Sequence, residues 1–322
     1  LNTLKAHVLY HLLDTDRKLG TYDKSVFLEY AKLPRNAPYV RREYLRRPEF
    51  RGSVADLNGD YSQATRLKPI GSDEPLVRDY LEHLLSDAAD ADEFAPYFEE
   101  GYLREVFART KILYGIGDME RWFGMLPPET YRALKERVEI EFLPDNPAIH
   151  APEEAVSLRV AVKNVPSLIV RTYEINTVNY SMREKKPVTT AVDLDGLAPN
   201  TETVHAYETP ALRRHVETFE FPDMNRAGVW IIEFIGNGRS SRALIRKGDL
   251  RFTERTGAAG HLFTVFDESN RPLTDVSILL GGHEFAADET GTVPVPFSTD
   301  PGWTEVILKR GDFACVKRFF HA

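Results

Sequence analysis

Two groups of arginines are the strongest candidates for binding chemistry in this sequence. The first group lies in the run RREYLRRPEFR, residues 41–51, where arginines alternate with Tyr44 and Phe50. Guanidinium groups beside aromatic rings can bind phosphates or RNA, although a run of this kind is more often a solvated protein face. The candidate binding residues of this group are Arg41, Arg42, Arg46 and Arg47.

The second group follows a glycine pair in VWIIEFIGNGRSSRALIRKGDL, residues 229–250. A phosphate-binding loop would need Gly, four residues and then Gly-Lys-Ser/Thr, but no lysine stands at that place. Asn237-Gly238 between apolar runs predicts a two-residue hairpin turn instead, because both residues tolerate positive φ. Arg239 and Arg242 follow this turn and are the second set of candidate binding residues; alternation places them on opposite faces of their strand.

Residues that could hold a metal or act as a nucleophile are few. His7 and His11 are four apart on a predicted helix and could reach one metal ion, but the zincin pattern requires Glu where Val8 stands. They are therefore weak metal candidates. Cys315 is the only cysteine, which excludes an intrachain disulfide, and it lies in an apolar run where a thiol is usually inert. We predict no catalytic residue and no cofactor.

The length and the net charge of the chain limit the classes of protein to which it can belong. A chain of 322 residues is expected to contain two or three cores, and its net charge of −8 is spread along the sequence, which argues against general nucleic-acid binding. No signal peptide and no apolar run near the roughly 20 residues of a membrane helix is found. The chain begins with Leu1 and not Met, which is consistent with a piece of a longer polypeptide.

Helical periodicity dominates residues 1–137. The pattern predicts one helix in residues 2–20, a second in 23–33 that is stopped by Pro34, and a long irregular connection over 36–71. Further helices are expected in 72–89, 100–115 and 127–138. The apolar stripe predicted for the first helix consists of Leu4, Val8, Leu9, Leu12 and Leu13.

After residue 137 the apolar period changes from about 3.6 to 2, which predicts antiparallel strands. Residues 138–254 are expected to form one β-sandwich, with Val156, Leu158 and Val160 on one face and with a strand in PVTTAVDLDGL, residues 187–197. The run ERTGAAG, residues 254–260, is predicted to be a linker. Residues 260–322 are expected to form a smaller sandwich around Phe263, Val265 and other alternating apolar residues.

Several of these strands resemble macroglobulin-type domains of the alpha-2-macroglobulin family. The resemblance covers residues 138–322 and rests on VAVKNVPSLIVRTYEIN, RAGVWIIEFIGNGRSSRA, FTVFDESNRPLTDVSILL and ADETGTVPVPF. It implies immunoglobulin-like sandwiches, a parent protein that handles proteases or peptides, and a periplasmic, cell-envelope or extracellular location. The family's Cys-Gly-Glu-Gln thioester motif is absent, since Val316 and Lys317 follow Cys315.

These observations predict a multidomain α + β protein with a helical unit and two antiparallel sandwiches. We expect a non-enzymatic, protein-binding or structural segment whose partner is a protein or a protease, with no nucleic-acid partner and no membrane insertion. One alternative is a metal-dependent hydrolase with its site between the helical unit and the first sandwich. Another is a carbohydrate-binding or adhesin module with Trp230 or Trp303 as stacking residues, although alternation with apolar neighbours favours a core position for Trp230.

Overall fold

The computed structural model describes residues 2–322, and its first part is helical as predicted. The connection over residues 36–71, predicted to be irregular, also contains two short helices, Arg42–Leu45 and Ser62–Thr65. Asp23 begins the second helix because its carboxylate accepts hydrogen bonds from the backbone amides of Ser25 and Val26. Gly115 ends the sixth helix with the positive φ of 63° that glycine adopts without strain. The helices within residues 2–322 are α1 (Asn2–Lys18), α2 (Lys24–Ala31), α3 (Arg42–Leu45), α4 (Ser62–Thr65), α5 (Glu74–Ser86), α6 (Glu100–Tyr114), α7 (Met119–Met125), α8 (Pro128–Glu136) and α9 (Thr177–Glu184). None of them is both long and apolar enough to cross a bilayer.

The buried face of α1 differs from the predicted stripe. Leu9 and Leu13 are buried, but Leu4, Val8 and Leu12 are exposed. Ala6 and His7 complete the buried face instead. The prediction was wrong here because leucines and valine occur on both sides of this helix, so the apolar pattern alone did not identify the inner face.

Antiparallel strands follow the helices, as predicted. The strands are β1 (Glu139–Phe142), β2 (Ser157–Lys163), β3 (Ser167–Ile175), β4 (Thr201–Ala206), β5 (Arg214–Glu220), β6 (Gly228–Gly236), β7 (Arg239–Lys247), β8 (Arg251–Thr256), β9 (His261–Phe266), β10 (Ser277–Leu280), β11 (His283–Ala286), β12 (Thr292–Val295), β13 (Gly302–Arg310) and β14 (Phe313–His321). They form four sheets with the orders β1-β2-β5, β4-β3-β6-β7, β12-β9-β8 and β11-β10-β13-β14. The predicted fold class, a multidomain α + β protein with a helical part followed by antiparallel β-sandwiches, is confirmed.

Three local predictions in this region were wrong. Residues 187–197 form turns and not a strand, although Val188 and Leu194 are buried at the alternating positions that suggested one. β3 pairs with β6 on one side and with β4 on the other, and β4 was not predicted because its residues are almost all exposed and give no apolar pattern. Residues 254–256, expected in a linker, lie in β8 and pair with β9.

The chain divides into two compact units, each assembled from three stretches. The first unit comprises residues 1–146, 159–165 and 208–217, and the second comprises 147–158, 166–207 and 218–322. In the first unit, Phe27 stacks on Tyr80 at a ring distance of 5.0 Å, and Leu212 packs against the same helical core. In the second unit, the predicted core residues Phe263 and Val265 are completely buried. The domain borders expected from the sequence, 1–137, 138–254 and 260–322, remain predictions.

Candidate functional site

The arginine segment, residues 41–51, is fixed to the helical unit by backbone and tyrosine contacts. The Arg41 amide donates to the Tyr97 carbonyl at 2.9 Å, and Val40 forms a β-bridge with Phe98. The Tyr44 ring is buried, and its hydroxyl donates to the Lys32 carbonyl at 2.5 Å. The segment folds as α3 followed by a 3₁₀ turn over Pro48–Phe50. It therefore holds its arginines on a defined backbone.

The guanidinium groups of this segment face solvent. Arg41 pairs with Glu43 at 3.4 Å and donates to the Ala95 carbonyl. The Arg47 guanidinium lies 4.7 Å from the centre of the Tyr44 ring, a cation–π geometry. An open depression of about 420 Å³ lies beside them, with Pro96 in its wall. The structure thus keeps the predicted residues Arg41, Arg42, Arg46 and Arg47 together on one exposed segment of the first unit.

The second group of predicted arginines lies in the second unit, on the β6–β7 hairpin. The predicted two-residue turn is confirmed: Asn237 and Gly238 have φ values of 45° and 74°, and Gly236 pairs with Arg239. Arg239 is exposed at the turn. Arg242 donates to the Glu233 carboxylate at 2.8 Å and to the Val192 carbonyl at 3.1 Å. Arg242 therefore has a structural role, and contact of either arginine with a partner remains a prediction.

The two predicted metal candidates hold a neighbouring segment in place. His7 and His11 lie with ring centres 4.6 Å apart. The His7 Nε2 atom lies 3.2 Å from the Thr65 hydroxyl, and the His11 Nε2 donates to the Lys68 carbonyl at 2.9 Å. Burial lowers the pKa of His7, and the neighbouring His11 lowers it further. Within residues 2–322, His, Cys, Asp and Glu side chains form no group of three or more that could hold a metal ion.

Cys315 and the two candidate tryptophans differ in exposure. Burial raises the pKa of the Cys315 thiol to about 11, which keeps it protonated and unreactive at neutral pH. Trp230 is only 4% exposed, which confirms the predicted core position. Trp303 is 64% exposed and meets Phe320 edge-on, with ring centres 6.0 Å apart. Trp303 is thus the one of the two stacking candidates that solvent can reach.

A charged cleft of about 1110 Å³ in the first unit is a feature that the sequence analysis missed. At its centre Arg214 lies 3.6 Å from Glu82, 3.6 Å from Glu139 and 3.2 Å from Glu141. Glu82 also faces Arg109 at 3.8 Å. Burial raises the pKa of Glu82, and the two arginines oppose that rise. The walls of the cleft come from three helices and from strands that are far apart in sequence. The spacing of residues in the sequence therefore could not predict the cleft.

A second missed cluster surrounds Asp73 inside the helical core. Its carboxylate accepts hydrogen bonds from the Tyr30 hydroxyl at 2.7 Å and from the Tyr39 hydroxyl. Arg35 is completely buried beside it, with Nε 3.4 Å from the carboxylate and the guanidinium 4.0 Å from the Tyr30 ring centre. This enclosed cluster has charges of both signs, and its contacts link Asp73 to the chain around Tyr30, Arg35 and Tyr39.

Two family models match parts of the chain. Residues 1–138 match the model described as actin-binding protein F N-terminal domain, and residues 168–248 match the first immunoglobulin-like domain of the same protein. Neither is a model of the alpha-2-macroglobulin family. A curated relative, actin-binding protein F of Dictyostelium discoideum, is 33% identical over 331 aligned residues. All of this chain is aligned, but it spans only 14% of the relative.

Solved structures that match part of this chain include two of Escherichia coli alpha-2-macroglobulin. The structure spanning its domains MG0-NIE-MG1 has a TM-score of 0.37 and 12% identity, and the match covers 56% of this chain and 64% of that one. The structure spanning NIE-MG1 has a TM-score of 0.35 and 12% identity, with 56% of this chain and 96% of that one covered. In sequence, the chain is thus similar to actin-binding protein F in both its helical part and its first sandwich.

Proposed function

We propose that this chain is a non-enzymatic segment that binds actin filaments. The observation that carries the proposal is the match of residues 1–138 to the N-terminal domain model of actin-binding protein F. The identity of 33% to the Dictyostelium protein extends over the sandwiches as well. Since the chain spans 14% of that protein, the actin-binding activity is proposed for this segment and not transferred from the whole.

The chemistry of the side chains supports a binding role over catalysis. The Cys315 thiol is kept protonated by burial, and the rings of His7 and His11 contact Thr65 and Lys68. The arginines of the charged cleft face carboxylates of the same unit, as Arg214 does. Exposed charged side chains, such as those of Arg42, Arg46 and Arg47, remain available to a partner. Arginine is enriched in protein–protein interfaces, so these side chains suit a binding role.

Co-sedimentation with actin filaments tests the proposal. We expect the complete chain, residues 1–322, to pellet with filaments in a saturable manner and to stay in the supernatant when filaments are absent. Microtubules serve as a second polymer in parallel tubes, and they should pellet much less of the chain. A chain that remains in the supernatant at every filament concentration, or that pellets equally with both polymers, contradicts specific actin binding.

The macroglobulin resemblance of residues 138–322 supports a second, narrower proposal, the handling of proteases or peptides. The structural observation that favours it is the exposed basic segment after α9, where Lys185 and Lys186 face solvent. Limited digestion with trypsin should cut first after Lys185, and the cleaved chain should then co-elute with the protease in gel filtration. Cleavage without co-elution contradicts this proposal. The proposal of protease or peptide handling includes a cell-envelope location for the protein.

A further inference from the structure

We infer that the exposed arginines of the segment 41–51 form a docking surface for an acidic protein surface. The inference rests on the proposed function, because it assigns that acidic surface to the actin filament. The residues of the docking surface are Arg42, Arg46, Arg47 and Arg51.

Charge is the first argument. The segment contains five arginines and two glutamates within a chain whose net charge is −8. The Arg41 guanidinium lies within 4 Å of a carboxylate, that of Glu43. Among residues 2–322, the four docking arginines form no such ion pair. The Glu43 carboxyl has a lowered pKa, chiefly through its own backbone amide and further through Arg41 and Arg46. The segment therefore presents a net positive charge that carboxylates of a partner can neutralise.

Pre-organisation is the second argument. Tyr44 anchors the middle of the segment, and its ring meets Phe50 at 4.9 Å and Tyr97 at 5.4 Å. The Arg42 amide donates to the Glu99 carboxylate at 3.0 Å, which fixes the start of α3. Because the backbone is fixed, binding costs little further backbone ordering entropy.

The surroundings favour a protein over a nucleic acid. Single-stranded nucleic acids are bound through exposed aromatic rings on which bases stack. Tyr44 is only 5% exposed, and Arg47 lies over its ring. The remaining chain is acidic and repels a long polyanion, whereas a local acidic patch on a protein can meet the arginines alone. The surface thus suits a partner whose negative charge is confined to one patch.

A charge-reversal variant tests the inference. The triple variant should raise the dissociation constant for actin filaments by about tenfold or more, because three attractions become repulsions. Its changes are Arg42→Glu, Arg46→Glu and Arg51→Glu. Arg47 is left unchanged so that its contact with Tyr44 remains. The matched control is Arg104→Glu, Arg132→Glu and Lys135→Glu, three exposed cations on α6 and α8 of the same unit. This control should bind within about twofold of the unchanged chain.

A charge-preserving variant locates the partner's carboxylates directly. This variant should retain binding and place three lysine amines at the interface. Its changes are Arg42→Lys, Arg46→Lys and Arg51→Lys. A carbodiimide then activates a partner carboxylate, which forms an amide with the lysine Nζ while the reagent leaves as a urea. Peptide mass spectrometry should find these three lysines joined to Asp or Glu of actin, whereas the unchanged chain gives no such link at these positions.

The outcomes separate the two proposals. If the unchanged chain does not pellet with filaments, actin binding fails and this inference fails with it. If the chain pellets and the charge-reversed variant, shown by circular dichroism to be folded, pellets equally well, only the docking surface is overturned. Flotation with phosphatidylserine vesicles that is lost in the charge-reversed variant, while actin binding is unchanged, assigns the arginines to a membrane and also overturns the inference.

Discussion

His7 has one ring nitrogen whose protonation the fold opposes. The Thr65 hydroxyl donates to the Tyr61 carbonyl at 2.9 Å, so its oxygen must accept from the His7 Nε2–H. This tautomer leaves Nδ1 buried, with no hydrogen-bond partner among the described residues 2–322. Adding a proton there places a charge in a buried site next to His11, while the Asp60 carboxylate offsets only part of that cost.

This arrangement predicts a loss of stability in mild acid. In the folded chain the pKa of His7 lies below the usual value of 6.5. As the pH falls below 6.5, the unfolded chain therefore binds a proton at His7 more readily than the folded chain, and the folded state loses stability. His7→Gln retains a donor for Thr65 and does not titrate. Urea unfolding between about pH 7.5 and pH 5 should show a smaller loss of stability in this variant than in the unchanged chain. The exposed His283→Gln change is the control, and equal losses in all three proteins contradict the prediction.

Single residues were predicted from the sequence only where the cause is local. Asn237 and Gly238 were predicted correctly because a two-residue hairpin turn depends on their own backbone preferences. The enclosed ion pair of Arg35 with Asp73 was not predicted, because its partners are 38 positions apart and meet only through the packing of the helical core. The docking arginines were found as a run of charge, but the structure was required to show that they are exposed and form no ion pair with a carboxylate of residues 2–322.

At the scale of elements, the β6–β7 hairpin depends on the backbone conformation of its turn. Gly238 has a φ of 74°, and a methyl group at its Cα would meet no atom within 4 Å. Gly302 offers the same open space without a positive φ. Gly238→Ala should therefore lower the free energy of unfolding by about 1 kcal/mol, whereas Gly302→Ala should not lower it. Urea denaturation of both variants measures the difference, and equal effects contradict the assignment to backbone strain.

The end of α8 is completed by side chains from β2 and the residue after it. The buried Lys163 ammonium donates to the Leu134 carbonyl at 2.5 Å and to the Arg137 carbonyl at 2.7 Å. Asn164 donates to the Lys135 and Glu136 carbonyls at 3.3 and 3.1 Å. These bonds satisfy carbonyls that a helix leaves unpaired at its C-terminus. The helix end and the strand are therefore coupled.

Removal of the Lys163 ammonium tests this coupling. Lys163→Met fills similar volume but leaves the two carbonyls without donors, and it should lower the free energy of unfolding by about 2 kcal/mol. The exposed Lys135→Met in the same helix end should change stability by less than about 0.5 kcal/mol. Chemical denaturation measures both changes. A Lys163→Met variant as stable as the control shows that water satisfies the carbonyls equally well.

Elements with a strong period were predicted, and short ones were not. The helix α5 was predicted because Leu76, Tyr80 and Leu85 recur at helical spacing, and all three are buried. α7 was missed because its seven residues include Gly124, although Asp118 carries a capping signal that could have identified it: its carboxylate accepts from the amides of Glu120 and Arg121. α9, which Asn176 caps, was missed because it lies within a connection between strands, where no helix was expected.

At the scale of the whole molecule, residues distant in sequence complete the first unit. Arg214 in β5 faces Glu82 of α5 and Glu139 of β1. The Arg213 guanidinium donates to the Tyr114 carbonyl at 2.8 Å and fills the space above Gly115. The helical core was predicted from residues 1–137 alone, because sequence periodicity carries no information about a later strand that returns to it.

Loss of Arg214 should therefore weaken helices more than a hundred positions earlier in the chain. Arg214→Leu leaves Glu82 and Glu139 buried without this cation, and it should lower the free energy of unfolding by about 3 kcal/mol. Hydrogen exchange should be faster at the amides of α5. Arg226→Leu, which breaks an exposed ion pair with Glu174, should cost about 1 kcal/mol or less. Unchanged exchange in α5 contradicts the role given to Arg214.

The discontinuous build of the two units also limits how such a protein can change over generations. Each unit draws on three separate stretches of chain, and the stretches of one interrupt those of the other. A single recombination event at any position from residue 147 to 217 joins incomplete parts of both. Any continuous stretch of chain that contains the whole of one unit therefore also carries part of the other, so a gene rearrangement that leaves no fragment behind must transfer both units together.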